Sequence, residues 1–239
     1  CIMKGKNGKM KLSSRGERLA LQRSRIVAGA RNKVTMLEEV IQPYIHDKHI
    51  LVYCGATKGL EQNQDRSDVD SEDIRQIDMV TDLLGNKLGM DVSQFTSKES
   101  VEEREVLKRE FSAGDTLKVL IAIKCLDEGV NIPKIKTAFI LASTTNPKEY
   151  IQRRGRVLRL AEGKEYAEIY DFITLPYGIE EVTSLTTAQV KRNSTLVKNE
   201  LRRAEEFSRI AVNMVESASL IDEIKDAYGL QELNWNSEE

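Results

Sequence analysis

Apolar residues follow two rhythms along this chain. Short, nearly unbroken apolar runs alternate with longer stretches in which apolar positions return every three or four residues. The runs at 49–54, 117–123 and 134–142 and the more mixed segments 91–95 and 166–173 predict strands. The first, His49-Ile50-Leu51-Val52-Tyr53-Cys54 before Gly55, is apolar nearly throughout, as a strand buried on both faces must be. Between the runs the spacing predicts helices. Residues 18–41 carry Leu19, Leu21, Ile26, Val27, Val34, Leu37, Val40 and Ile41, with Ser13 as a cap, a break at Gly29 and Asn32, and Pro43 at the end. Ser71-Glu72-Asp73 opens a second helix through Ile74, Ile77, Val80, Leu83 and Leu84. Thr96 or Ser97 caps a third over 99–111. Residues 1–11 read as a loose basic segment and 60–71 as a polar, acidic loop. From Gly178 the pattern turns helical, with Leu196, Leu201, Phe207, Ile210, Met214, Val215, Leu220, Ile221 and Ile224, and it fades into a frayed end near Trp235. Strands alternating with helices predict an α/β fold: a parallel sheet with crossover helices, followed by a helical extension.

Composition narrows this picture modestly. With 239 residues, 40% hydrophobic and 31% charged, the chain is long enough for one sizeable domain or for one domain plus an appendage. A net charge of -2 offers no global field for nucleic acid, so any polyanion must be met by a local cluster. Cys1, Cys54 and Cys125 show no paired spacing, which argues against a disulfide framework or a zinc site and fits a reducing cytoplasm. His46 and His49 flank the first strand without metal-ligand partners and read as ordinary structural or surface histidines. No apolar run is long enough to span a membrane. The chain opens at Cys1 without an initiator methionine, and reads as part of a longer polypeptide.

The local cluster is Gln152-Arg153-Arg154-Gly155-Arg156-Val157-Leu158-Arg159. Pro147 suits a first helical turn, and Arg153, Arg156 and Arg159 then share roughly one helix face. Planar, permanently charged guanidinium groups in a row suit phosphate oxygens, a nucleotide's γ-phosphate above all. A solvated basic helix surface is the plainer alternative. Parallel sheets bind ligands beyond the carboxyl ends of their strands. Two further motifs are expected there beside the arginines. Tyr53-Cys54-Gly55-Ala56-Thr57-Lys58 combines small residues, whose N–H groups can approach a phosphate, with two side-chain donors. The segment 122–133 runs Ala-Ile-Lys-Cys-Leu-Asp-Glu-Gly-Val-Asn-Ile-Pro, a strand entering a turn at Gly129.

This ordered series resembles motifs IV (50–58), V (120–133) and VI (150–159) of the second RecA-like lobe of superfamily 2 helicases and translocases. Its flavour is that of the DEAD/DEAH-type, restriction-enzyme-like and Snf2-like branches. The resemblance covers about 25–173 and divides the chain into a linker from an upstream lobe (1–24), the RecA-like lobe (25–177) and the helical extension (178–239). It implies that ATP sits between two lobes. Arg156 and Arg159 would then be arginine fingers reaching the γ-phosphate. Glu128, Gly129 and Asn131 would line the nucleotide, and Gln152 and Arg153 would couple that site to the lobe interface. Gly55, Thr57, Lys58, Thr96 and Lys124 would grip the nucleic-acid strand. Two positions depart from the family. Asn131 stands where an aspartate contacts ribose, and Ile123 stands where a threonine contacts a nucleic-acid phosphate, so the grip passes to Thr57, Lys58, Thr96 and Lys124.

The phosphate-binding loop and the magnesium-holding acids of such motors are absent from the sequence. ATP and Mg2+ would be held mainly by an N-terminal RecA-like lobe of the same polypeptide, and this stretch alone is expected to hydrolyse negligible ATP. The expected function is the C-terminal motor lobe of an ATP-dependent helicase or translocase on nucleic acid, with DNA favoured and RNA open. The alternatives are a non-catalytic RecA-like scaffold and a translocase that moves on double-stranded DNA without separating it. A basic group at Lys191, Arg192, Lys198, Arg202 and Arg203 could touch nucleic acid, but reads more simply as a solvated helix face balanced by Glu200, Glu205 and Glu206.

Overall fold

A computed structural model describes residues 2–4, 10–30, 32–55, 76–96, 98–123, 132, 134–142 and 146–230. These fall into two compact units, 1–172 and 173–239.

The first unit opens with an antiparallel pair, β1 (Ile2–Lys4) and β2 (Met10–Leu12), where the sequence suggested a loose segment. Composition misled here: a two-stranded pair is stabilised by its partner, not by strand-like composition in either half. Helix α1 (Ser14–Ala28) begins with the Gly16 N–H donating to the Ser13 hydroxyl at 3.1 Å. The chain breaks at Gly29 and resumes as α2 (Asn32–Val40), as the spacing predicted.

Five parallel strands follow in the order β4-β5-β3-β6-β7. They are β3 (Ile50–Cys54), β4 (Val92–Phe95), β5 (Val119–Ile123), β6 (Thr137–Ile140) and β7 (Glu168–Asp171). The three inner strands are those with the longest apolar runs, as double burial requires. The crossover from β3 to β4 runs one way along the sheet, and those from β4 to β5 and β6 to β7 run the other. Right-handed crossovers therefore place the first helix on one face and the next two on the opposite face. The first, α3, is described over 76–81 and widens into a π turn at Asp82–Lys87. Its Ile77, Val80 and Leu84 pack with Leu37 and Ile41 over Ile50, Val52, Ile121 and Phe139. The opposite face carries Leu51, Tyr53, Leu120, Ala122, Ala138 and Ile140, all buried, beneath α4 (Val101–Ala113) and α5 (Pro147–Val157).

The cap of α4 corrects the sequence reading. The Ser100 hydroxyl, not that of Thr96 or Ser97, accepts the Glu103 N–H, and the Glu103 carboxylate accepts the Ser100 N–H in return. This reciprocal arrangement satisfies two orphan donors at once.

The second unit consists of α6 (Ile179–Val182), α7 (Thr187–Ser208) and α8 (Met214–Ala227). Val182, Val197, Leu201, Ile221, Ile224 and Tyr228 form its core. The solvated reading of α7 fails at two residues. Glu200 and Arg203 are buried and joined by two hydrogen bonds of 2.9 Å, and Glu200 also accepts the Thr174 N–H at 2.9 Å. Among the described residues no helix is long and apolar enough to cross a membrane.

Candidate functional site

The strands of the first unit end together along one edge. Gly55 leaves β3 there, Thr96 leaves β4, and Ile123 closes β5. Of the residues expected to grip a strand, Thr57, Lys58 and Lys124 lie outside the described residues. The other two are committed within the fold. The Gly55 N–H donates to the Gln76 side-chain carbonyl at 3.1 Å, and the Gln76 amide donates to the Ala28 carbonyl at 2.9 Å. Gln76 is buried, so the Gly55 amide is tied inward rather than presented to a phosphate. The Thr96 hydroxyl donates to Glu99 at 3.0 Å and accepts the Lys98 N–H at 3.1 Å, while its carbonyl takes a guanidinium N–H from Arg104 at 2.9 Å. Thr96 is buried and secures the turn into α4. Ile123 packs against the apolar layer beneath α2 and α3.

The arginine motif lies on α5 and just past it. Asn146 caps α5 by accepting the Lys148 N–H at 3.1 Å, and Pro147 occupies the first turn, as the sequence predicted. Because α5 connects the end of β6 to the start of β7, it returns the chain across the sheet, as a crossover helix has to.

The arginines do not form one uniform row. Arg153 is 1% exposed, and its guanidinium lies 3.8 Å from the centroid of the Tyr53 ring. At that distance the ring's negative face stabilises the cation. Arg154 and Arg156 are half-buried, Gln152 is exposed, and α5 ends at Val157. Arg159 therefore lies beyond the helix, exposed, with its N–H directed to the Arg156 carbonyl at 3.5 Å. Gly155 sits in the exposed middle of this stretch, and a Cβ there would meet nothing within 4 Å among the described residues. Lys164 closes the helix end by donating from Nζ to the carbonyls of Val157 and Arg159, the latter at 2.9 Å. Burial pushes its pKa below the ordinary lysine value.

Tyr53, Gln76 and Lys164 were missed by sequence reasoning. Each acts on a residue far along the chain or through a backbone carbonyl, and neither relation leaves a local pattern. Glu128, Gly129 and Asn131 lie outside the described residues. Among the described residues no group of three or more His, Cys, Asp or Glu side chains is arranged to hold a metal ion.

The model of the helicase conserved C-terminal domain matches residues 32–161. The chain belongs to that family. Its parallel sheet with flanking helices is a RecA-like arrangement. The helicase C-terminal lobe is 36% identical over 78 residues to a helicase-named protein of Sulfolobus islandicus filamentous virus (isolate Iceland/Hveragerdi), covering 33% of this chain and 14% of that protein. It is 33% identical over 64 residues to the DNA 3'-5' translocase XPB2 of Sulfurisphaera tokodaii, covering 27% of this chain and 14% of that one. Both alignments thus span about one seventh of the curated relatives' length. Among solved structures, the yeast DEAD-box splicing factor Prp28 is similar with a TM-score of 0.49 and 14% identity, over 86% of this chain and 36% of that one.

Proposed function

We propose that this chain is the C-terminal motor lobe of an ATP-dependent helicase or translocase. In this reading an N-terminal RecA-like lobe of the same polypeptide holds most of the ATP and its Mg2+. The observation that carries it is the end of α5, where Arg156 and Arg159 stand half-buried and exposed beside a helix-interior glycine with open space around it. No acidic residue occurs between Glu149 and Glu162. A polyphosphate fits such a surface. Bound ATP would supply the phosphoryl group whose transfer to water drives lobe movement. Arg156 and Arg159 would offer positive charge where negative charge develops on that group. Glu128, Gly129 and Asn131 would line the nucleotide, and Gln152 would face the partner lobe. Arg153 would support the site from beneath, as its stacking on Tyr53 suggests.

Strand gripping falls to Thr57, Lys58 and Lys124, with Gly55 and Thr96 shaping the turns beside them. The name of the Sulfurisphaera tokodaii relative supports DNA as the track and favours, as a second reading, translocation without strand separation.

The test is ATP hydrolysis by the full-length protein, without nucleic acid and with single-stranded DNA, double-stranded DNA or RNA. Arg156→Ala and Arg159→Ala should each lower stimulated hydrolysis about a thousandfold, the low end for an arginine finger, while a fluorescent ATP analogue still binds. Hydrolysis that survives loss of both arginines would leave the scaffold reading in place. An unwinding assay on the active protein separates helicase from translocase.

A further inference from the structure

Arg159 stands on backbone that the helix no longer controls. α5 has ended at Val157, and the 3.5 Å bond from Arg159 N–H to the Arg156 carbonyl is at the long limit for a hydrogen bond. The chain then turns through Gly163, whose φ of 72° is in the left-handed region, and Lys164 comes back beneath the helix end. Ala161 and Lys164 pair as an isolated bridge, with the Lys164 N–H donating to the Ala161 carbonyl at 3.1 Å. The Lys164 ammonium meets the carbonyls of Val157 and Arg159, one residue to either side of Leu158. A lysine can donate from one point to several acceptors, and a cation is favoured at the negative end of a helix.

We propose that Lys164 is a positioning residue for Arg159, fixing the backbone from which that guanidinium is presented to the nucleotide's terminal phosphates. The inference rests on the arginine-finger reading above and adds the group that holds the finger's base. A helix end left to itself frays, and its last carbonyls lack partners within the helix. An arginine side chain projects far from its Cα, so a small backbone rotation becomes a large displacement at the guanidinium. Misplacement of a catalytic group by about 1 Å can cost roughly a hundredfold in rate.

The test compares Lys164→Met, Lys164→Arg, Arg159→Ala, Arg159→Lys and the double variant Lys164→Met/Arg159→Lys in the full-length protein. Lys164→Met keeps the stem and removes the donors. It should lower kcat for ATP hydrolysis about tenfold to a hundredfold, with KM for ATP within about twofold of the parent. Lys164→Arg retains donors and should keep most of the activity. Amide hydrogen exchange over residues 158–164 should accelerate in Lys164→Met while 119–123 stays protected. The double variant should be no slower than the slower single variant, because both act on the same guanidinium. A raised KM with unchanged kcat, unaltered exchange over 158–164, or losses that multiply in the double variant would overturn the inference. If Lys164→Met also loses protection over 119–123, Lys164→Gln, which keeps a donor amide, is judged by the same readouts. Slow Arg159→Ala beside a fully active Lys164→Met removes Lys164 alone. Fully active Arg159→Ala removes the finger reading and this inference with it.

Discussion

Helices α5 and α7 both carry clusters of basic residues, and each buries one arginine, but on different supports. In α7 the counter-charges come from nearby acids: Glu200 with Arg203, Glu206 with Arg209 at 3.3 Å, and Glu205 with Lys225 of α8 at 2.7 Å. In α5 the buried arginine rests on an aromatic face, and no acid interrupts the sequence from Tyr150 to Ala161. In α7 a carboxylate answers the buried charge of Arg203, whereas the Tyr53 ring meets that of Arg153 with the negative face of its π system. What a basic residue rests on therefore says more than how many such residues a helix carries.

The comparison breaks most readily in α7. Glu200→Ala would leave Arg203 buried without its carboxylate and should lower unfolding free energy by about 3–5 kcal/mol, measured by chemical denaturation. Joint replacement of Glu200 and Arg203 by Leu and Met should recover most of that loss, because paired burial of charge is itself costly. Around α5 the contrast is between Arg153 within the helix and Arg159 beyond it. Arg153→Ala should destabilise by about 2 kcal/mol through the lost ring contact, whereas Arg159→Ala should stay within about 0.5 kcal/mol. Equal losses at the two sites would erase the distinction between a buried support and an outward group. The smallest effect concerns a cation-capable group that the fold keeps neutral. His49 is buried with its ring edge-on to Phe111, and burial lowers its pKa below 6.5, with Lys48, Lys134 and Lys136 adding to the shift and the Ser112 carbonyl opposing it. The unfolded chain then binds the proton more readily than the native one, so stability should fall as pH drops through 6.5 toward the depressed native value. Thermal melts of the parent and His49→Asn across that window check the sign; the variant should show the flatter profile.

Much of the sheet was legible because inner strands have little freedom in composition. Residues 49–54, 117–123 and 134–142 read as strands since only apolar side chains suit both faces, and the helix break at Gly29 and Asn32 was visible for equally local reasons. The cap of α4 was misplaced by a few residues because Thr96, Ser97 and Ser100 are chemically equivalent candidates until the Glu103 return bond selects one. Arg153 was not legible as buried, since the ring beneath it is one hundred residues earlier in the chain.

The π turn at Asp82–Lys87 closes its helix rather than interrupting it: no helical residue follows, and the Leu88 N–H reaches back to the Leu83 carbonyl at 3.0 Å. Gly89 comes next with a φ of 67°, in the left-handed region common just past helix ends. A Cβ there would meet nothing within 4 Å among the described residues, so it is backbone conformation and not space that reserves position 89 for glycine.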